Sequence, residues 1–427
     1  MAGKMSRVLL HSLVFSPDSV STSYIITDLA LELKRLGHDV TVLTTTPHYN
    51  IDKEALKSQP LKRKWLGILY YSQCGGIPVW HVKIPMKGSK IWVRGLDYVR
   101  FHLVSLLVSL FLLKKQDIII ANSPPLTIGI IGYLLALRWG ARSIYVVQEL
   151  YPDIAISRGV IKQKILIDLA RYLEKLVYRW NTRIVTITEQ FKKTISTRGV
   201  LPGKISFIPN GVDCEFYCPL SKNKAFLEAN GLIGDFVVLY AGNIGLMQDW
   251  ESVVFAAQHL SDYPIKFVVV GDGIRRKWLE DRIEQLNLKN IILIAYQPKQ
   301  LMPLINASAD ITMIPMTRIG IKDGFPSKIY ASFASAKPVI VSADIDSEME
   351  QLIEISGCGR AVPPENNDAF CDAVLRAFNE KALLVDEGMR GRAFVLKHYS
   401  KQASAAKYNL IISELTGDIC NKKAHRV

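Results

Sequence analysis

The segment DFVVLYAGNIGLMQDWESVVFAA, residues 235–257, shows the unit from which the chain is built. It begins with a short β-branched apolar run, continues through a loop that contains Gly242 and Gly245, and ends in residues with helical spacing. A strand that leads through glycines into a helix is typical of a parallel sheet flanked by helices. The same succession recurs along the chain, so we expect an α/β protein.

Short apolar runs predict strands in both halves of the chain. Helices are expected between them, as in residues 21–37, where Leu29, Leu33 and Leu36 line one helix face and Gly37 ends the helix. The pattern predicts two doubly wound, Rossmann-like domains in tandem. The predicted strands are 7–15, 38–44, 117–122, 143–148 and 183–188 in the first half, and 235–242, 265–273, 290–296, 310–316 and 337–343 in the second.

A hinge between the two domains is predicted within KISFIPNGVDCEFYCP, residues 204–219, where a strand runs into Pro-Asn-Gly. We therefore place the first domain at 1–214 and the second at 215–399. Residues 400–427 are helical in pattern with no strand after them, and we expect this terminal helix to cross back onto the first domain.

The positive charge of the chain is concentrated in its first half. Residues 1–214 hold 29 Lys and Arg against 14 Asp and Glu, whereas residues 215–427 hold 24 against 25. A basic half can attract nucleic acid or an anionic membrane surface, or can simply keep the protein dissolved. No aromatic-interleaved basic run or recognition motif supports nucleic acid, so we do not expect that partner.

The N-terminal apolar run is short and leads into Pro-Asp-Ser, so residues 7–15 are interpreted as a buried strand and not as a signal peptide. The six cysteines are scattered, and the pair Cys214 and Cys218 has no second ligand pair at the spacing of a metal site. We expect reduced thiols, a cytoplasmic protein and no metal site.

Residues 90–115, KIWVRGLDYVRFHLVSLLVSLFLLKK, form one apolar stretch flanked by cations. Its apolar core, 101–113, is 13 residues long, and a helix needs about 20 to span a bilayer. The stretch is therefore either a buried helix or an interfacial helix that lies among lipid headgroups. The basic first half favours the second alternative, a peripheral protein on the inner face of the cell membrane. The cations near anionic lipid would be Lys87, Lys90, Arg94, Arg100, Lys114 and Lys115.

Ligands of doubly wound domains bind at the carboxyl ends of the strands, and the loop of residues 242–248 follows such an end. Its glycines allow close approach of a ligand, while Asn243 and Gln248 offer neutral donors. The glycines of GDG, residues 271–273, are a weak signal that more often marks a tight turn.

A third strand end leads into FPSKIYASFASAKP, residues 325–338. Pro326 suits a first helical turn, and Ser327 and Lys328 follow at the positive end of the predicted helix. A diphosphate is the anion that fits a helix end, a cation and glycine loops together. The alternative is that Lys328 is a solvated surface lysine.

Taken together, several segments resemble the glycosyltransferases of family 4, which have the two-domain GT-B architecture with the domains facing across a cleft. The forms Gly-Asn-x-Gly-x-x-Gln and Pro-Ser-Lys are most similar to the branch that builds capsule, O-antigen and colanic acid. The resemblance covers nearly the whole chain. The segments are 37–50, 208–219, 240–257, 268–273, 296–316 and 325–343.

The resemblance implies a retaining transfer of a sugar from a nucleotide-sugar donor, bound by the second domain, to an acceptor bound by the first. It implies no required metal or other cofactor. It assigns Lys328 to the donor's phosphates, places Tyr296 and Gln297 near the nucleobase, and gives Asp323 as the first acidic residue of the family pair. The acceptor we expect is a lipid-linked saccharide.

The chain departs from the family pattern at several positions. Ala331 stands where a glutamate usually holds the ribose, so a weakened binding or scaffold subunit is the alternative function. Asn243 and Gln248 replace the usual Arg and Lys, and Gln148 and Glu149 stand where a histidine is frequent. Glu149 follows a central strand of the first domain and is our candidate for steering the acceptor hydroxyl; the alternative is that it caps a loop or pairs with Arg158.

Overall fold

The computed structural model describes residues 5–49, 51–85, 91–157, 159–319 and 325–424, which form two compact α/β units. Unit 1 comprises residues 1–211 and 401–427, and unit 2 comprises residues 212–400. Each unit has a sheet of its own, with nine and six strands among the described residues. The expected fold class, two doubly wound α/β domains, is confirmed.

The sheet of unit 1 has the strand order β3-β4-β5-β2-β1-β6-β7-β8-β9. All neighbours pair in parallel except β4, which is antiparallel to both β3 and β5. The central strands are almost fully buried because helices cover both faces of the sheet. The strands are Arg7–Ser12 (β1), Asp39–Thr45 (β2), Lys62–Lys64 (β3), Leu69–Cys74 (β4), Ile77–Val82 (β5), Ile118–Asn122 (β6), Arg142–Val147 (β7), Arg183–Thr186 (β8) and Ile205–Phe207 (β9).

Two apolar layers lie on opposite faces of this sheet, since Val8 and Leu10 belong to one cluster and Leu9 to the other. The layer with Leu9 includes residues of α3, α4 and α6, and the other includes residues of α1 and of the C-terminal helix. The helices that precede residue 212 are Ser21–Arg35 (α1), Lys53–Ser58 (α2), Ile91–Phe111 (α3), Ile128–Trp139 (α4), Asp153–Ser157 (α5), Lys164–Trp180 (α6) and Glu189–Thr197 (α7).

The hairpin of β4 and β5 was not predicted from the sequence, although Gly75 and Gly76 carry its turn with φ values of +53° and +73°. Two successive glycines between short apolar runs are a hairpin signal, because such turns need positive φ at both central positions. The prediction for the face of α1 was wrong at one position: Leu33 is buried, but Leu36 is 36% exposed.

The sheet of unit 2 is fully parallel, in the order β12-β11-β10-β13-β14-β15. The edge strand β15 was not predicted, because its four residues carry too short an apolar pattern. The strands are Phe236–Ala241 (β10), Ile265–Val270 (β11), Ile291–Ile294 (β12), Ile311–Ile314 (β13), Val339–Ser342 (β14) and Gly359–Val362 (β15).

The helices of unit 2 pack on both faces of that sheet, and the largest buried cluster is centred on Trp250, Phe267 and Phe370. They are Lys224–Ala229 (α8), Trp250–His259 (α9), Arg276–Gln285 (α10), Met302–Ser308 (α11), Lys328–Ala334 (α12), Glu348–Ser356 (α13), Asn367–Asn379 (α14) and Leu384–His398 (α15). The last helix, Lys401–Ala424 (α16), belongs to unit 1, where it packs against α1.

Candidate functional site

Two loops at the carboxyl ends of β10 and β11 pack backbone against backbone. The Gly242 amide donates to the Val270 carbonyl at 2.9 Å, and the Ile244 amide donates to the Asp272 carbonyl at 2.8 Å. At Gly271, where φ is +147°, a Cβ atom would lie 1.9 Å from the Gly242 carbonyl oxygen. The Gly271 position is therefore required for the packing of two loops, and not only for a turn.

Lys328, the first residue of α12, extends its side chain to the loop after β10. Its ammonium nitrogen lies 3.9 Å from the centroid of the Tyr240 ring, and a Cβ atom at Gly242 would lie 2.7 Å from that nitrogen. None of the ion pairs among the described residues involves this lysine. Burial lowers its pKa from the ordinary 10.5 to about 7. The lysine is thus a cation held on a neutral aromatic face beside a glycine loop.

Tyr240 supports this arrangement with both ends of its side chain. Its hydroxyl donates a 2.6 Å hydrogen bond to the Asn243 carbonyl, and its ring packs edge-on against Trp250 with 4.9 Å between the centroids. Burial raises its pKa, so the hydroxyl stays protonated at neutral pH. The sequence analysis placed Tyr240 only within a strand, because an aromatic residue near a strand end does not by itself indicate a site.

The two predicted polar residues of the loop differ in position. Asn243 is exposed. Gln248 points inward: its Oε1 accepts from the Gly245 amide at 2.9 Å, and its Nε2 lies 3.9 Å from the Met316 sulfur. In this arrangement Gln248 holds the loop in shape, which is a different role from the neutral donor that we expected.

The helix that carries Lys328 begins two residues later than expected and has seven residues. Pro326 and Ser327 form the turn before it, where their carbonyls accept from Ile329 and Tyr330 at 3.1 Å. So short a helix contributes little through its dipole, and Lys328 is the main source of positive charge. Asp323, the expected acidic residue, lies outside the described residues.

The predicted nucleobase residues lie after β12, beside these loops. Ile294, the last residue of β12, accepts from the Gly271 amide at 3.0 Å. Tyr296 is 70% exposed, and Gln297 donates to the Ala295 carbonyl at 3.2 Å. The described contacts do not join either side chain to Lys328.

The hydroxyl of Ser332, one helical turn after Lys328, donates to the carbonyl of that lysine at 3.5 Å and is buried. It is therefore turned away from solvent. The neighbouring Ala331 offers no polar group, so this turn of α12 does not supply the missing ribose contact.

In unit 1, the loop after β7 places Glu149 in a half-buried position, beside a cluster of side-chain amides. The Gln148 Nε2 donates to Asn122 Oδ1 at 3.2 Å and to Asn210 Oδ1 at 3.1 Å, and Asn210 Nδ2 donates back to Gln148 Oε1 at 2.8 Å. These three residues form what we call the amide cluster. The suggested partner of Glu149, Arg158, lies outside the described residues.

Ion pairs anchor the segment that follows Glu149. Asp153 pairs with both Arg171 and Arg198, and Arg198 also pairs with the buried Glu174. Two guanidinium groups therefore fix α5 against α6 and the end of α7, which gives the loop that carries Glu149 a rigid support.

Helix α3 has two apolar faces. Phe101, Val104 and Val108 are buried, whereas a stripe on the other side is open to solvent. Helices α4 and α6 continue this open stripe, since α3 contacts α4 and α4 contacts α6. We call the combined surface the apolar face; its exposed residues are Leu96, Val99, Leu103, Leu107, Leu110 and Phe111 of α3, Leu134 and Leu137 of α4, and Ile165, Leu166, Leu169 and Tyr172 of α6.

The apolar face is much larger than scattered surface leucines would produce, and such patches mark docking surfaces. Exposed cations flank it, among them Arg100, Lys114, Lys115 and Lys164. No helix within the described ranges has the length and apolar character needed to cross a membrane. Of the residues expected near lipid, Lys87 and Lys90 are not described.

Within the part of the chain that the structure covers, no three His, Cys, Asp or Glu side chains converge as metal ligands. The buried histidines His11 and His102 are kept neutral, because burial lowers their pKa values to about 3 and about 4.

Comparison with known proteins gives two family matches. The family described as Glycosyl transferases group 1 matches residues 224–394, and the Glycosyl transferase 4-like domain matches residues 22–211. The putative colanic acid biosynthesis glycosyl transferase WcaI of Escherichia coli K12 is 24% identical over 384 residues, which are 87% of this chain and 92% of that protein.

Another relative is the Escherichia coli UDP-Gal:alpha-D-GlcNAc-diphosphoundecaprenol alpha-1,3-galactosyltransferase, 26% identical over 65% of this chain and 71% of its own. Two solved structures show the same fold. Anabaena Alr3699/HepE in complex with UDP has a TM-score of 0.69 at 14% identity, covering 96% of this chain and 100% of its own. WaaG, a glycosyltransferase of lipopolysaccharide biosynthesis, has a TM-score of 0.64 at 14% identity, covering 95% and 99%.

Proposed function

The chain belongs to glycosyltransferase family 4, the retaining GT-B family, and from that premise we propose that it transfers a sugar from a nucleotide-sugar donor to a lipid-linked saccharide in surface polysaccharide synthesis. Donor binding is assigned to unit 2 and acceptor binding to unit 1. The relatives named for colanic acid synthesis and for a diphosphoundecaprenol acceptor support this choice of pathway class and acceptor.

The observation that carries the proposal is the position of Lys328. Its ammonium lies beside Gly242, where a side chain would leave no room, and it is paired with no carboxylate of the described residues. A cation left without an anion next to a glycine loop suits the diphosphate of a nucleotide sugar. Asn243, Ser327 and Pro326 border this position, while Tyr296 and Gln297 are proposed to meet the nucleobase.

In this proposal, catalysis is mainly stabilisation of the negative charge that develops on the departing diphosphate. Lys328 supplies the positive charge, and loop amides supply hydrogen bonds. In a front-face retaining reaction, the leaving phosphate oxygen accepts the proton of the acceptor hydroxyl. Glu149 is proposed to orient that hydroxyl. No step of this scheme assigns a role to a metal ion.

Calorimetry with UDP and assays of donor hydrolysis test the role of Lys328. We expect Lys328→Ala to weaken UDP binding by about tenfold to a hundredfold, the loss expected for one charge-assisted contact of about 1.5 to 3 kcal/mol. Lys289→Ala, at an exposed lysine of unit 2, is the matched control and should bind as the wild type does. Equal binding by both variants would remove Lys328 from the donor site.

We propose that the apolar face, with its flanking cations, brings the protein to the cytoplasmic surface of the cell membrane as a peripheral protein. The exposed stripe on α3 suits insertion among lipid headgroups and acyl chains, and the cations suit anionic lipid. A lipid-linked acceptor would then be met where it resides.

The alternative function is a scaffold that keeps the fold without catalysis. Ala331 and the inward-turned Ser332 favour it, because they leave α12 without a ribose contact. A thermal-shift screen with UDP-, GDP- and ADP-sugars separates the two, since a donor-binding enzyme is stabilised by its ligand and a scaffold need not be.

A further inference from the structure

Unit 1 contains a pocket of about 380 Å³, including the space at its mouth, between α1, α16 and the loops after β6, β7 and β9. All of its lining residues belong to unit 1. Its size is at the lower end of ordinary small-molecule pockets, about 300–1,000 Å³. None of the residues assigned to the donor or to catalysis lines it.

One wall of the pocket is apolar and the opposite wall is polar. Ile25, Ile26 and Leu29 of α1 form the apolar wall, and the amide cluster lies at the ends of β6 and β7 and in the loop after β9. The charges are balanced: Asp28 and Lys401 both line the pocket, and both already have partners in the protein. This lining suits an uncharged ligand with one apolar face and one polar edge.

The amide cluster is fixed in place and still has hydrogen-bonding capacity. Both N–H groups of Gln148 are used within the cluster. Asn210 uses one N–H and accepts one bond, and Asn122 uses one N–H toward the Ser123 carbonyl at 3.0 Å. Each of these two asparagines therefore keeps a donor and an acceptor lone pair for a ligand.

Tyr408 of α16 adds a hydroxyl that forms no hydrogen bond with the residues described here, although the side chain is only 6% exposed. Burial raises its pKa, so the group is a neutral donor and acceptor. A buried hydroxyl without a partner is costly unless a ligand or water satisfies it. Its neighbour Ser404 is satisfied already, since it donates to the Pro209 carbonyl at 2.8 Å.

We propose that this pocket binds one uncharged saccharide unit of the acceptor, so this inference rests on the proposed function and extends it. A sugar ring has an apolar C–H face for the wall of α1. Its hydroxyl groups both donate and accept, as do Asn122, Asn210 and the hydroxyl of Tyr408. The pocket thereby supplies acceptor specificity at a place separate from Lys328.

Saturation-transfer NMR on the full chain tests this pocket with three probes: the methyl glycosides of glucose, galactose and N-acetylglucosamine. We expect transfer to at least one of them. Tyr408→Phe, which removes only the hydroxyl, should raise the dissociation constant about threefold to tenfold. Ile25→Trp, which fills the pocket, should abolish binding. Tyr70→Phe, at a half-buried tyrosine of β4 outside the pocket, is the matched control and should change nothing.

Thermal melts with and without UDP accompany each variant, so that a folding defect and a donor defect are both visible. The inference is overturned if no glycoside receives saturation from the wild type, or if Tyr408→Phe and Ile25→Trp bind as the wild type does. Glycoside binding in a protein that binds no nucleotide would support the pocket and contradict the proposed donor site. UDP binding without glycoside binding would do the reverse.

Discussion

The ammonium of Lys328 lies over the ring of Tyr240, with 3.9 Å between the nitrogen and the ring centroid. The hydroxyl of the same tyrosine holds the carbonyl of Asn243 at 2.6 Å. One side chain thus supports both the cation and the loop beside it. Because an aromatic face attracts a cation without neutralising it, the charge of Lys328 remains available to a ligand.

Donor binding should depend on pH through Lys328. Burial lowers the pKa of the free lysine to about 7, and a bound diphosphate raises it, so binding takes up a proton. Affinity is therefore full below pH 7 and falls as pH rises. Between pH 6 and pH 8.5 we expect a loss of roughly thirtyfold for a UDP-sugar, measured by calorimetry.

A UDP-sugar is the right probe for this titration because its diphosphate diester does not itself titrate in that range. Lys328→Met should bind weakly and almost independently of pH. A wild-type affinity that stays flat across the range would show that the lysine is charged throughout, or that it does not meet the donor.

The contact of Gly271 with the Gly242 carbonyl makes a strong prediction about stability. Gly271→Ala would place a Cβ atom 1.9 Å from a backbone oxygen, and neither loop can move without breaking its hydrogen bonds. We expect unfolding free energy to fall by about 3 kcal/mol or more, measured by denaturant titration. Gly203→Ala, where no atom lies within 4 Å of the new Cβ, should be close to neutral; equal effects would contradict the packing of the loops.

Glu149→Gln tests whether this carboxylate acts on the acceptor. If it orients the acceptor hydroxyl, kcat should fall about tenfold to a hundredfold while UDP affinity stays unchanged. Glu228→Gln, an exposed glutamate of α8, serves as the control in the same transfer assay. Normal turnover of Glu149→Gln would leave the residue with a purely structural place in its loop.

The apolar face predicts binding to lipid vesicles. The double variant Leu103→Glu, Leu107→Glu changes two exposed residues of α3 and should lower binding to anionic vesicles at least tenfold in co-sedimentation, because charge replaces inserted apolar area. Ile233→Glu, at a residue of unit 2 that is 56% exposed, should not matter. A wild type that remains in the supernatant would instead favour a second protein copy on this face, which sedimentation velocity would detect as a dimer.

The sequence predicted the strands of both sheets well where they are central. Val8 to Leu10 and Val237 to Leu239 are continuous apolar runs because both faces of a parallel sheet are covered. It failed at the edge strands β3 and β15, whose patterns are short and only partly buried. It also assigned the glycines of residues 271–273 to a turn, although Gly271 serves a contact with a loop about 30 residues earlier.

Residue identity and periodicity thus determined the α/β class, the order of the central strands along the chain, the basic first half and the lysine at position 328, because these depend on local pattern and on charge count. Only the tertiary structure decided that Lys328 rests on Tyr240, that Gln248 turns inward, and that α3, α4 and α6 share one apolar face. Those relationships join residues that are far apart in the chain, and the packing that brings them together leaves no local trace in the sequence.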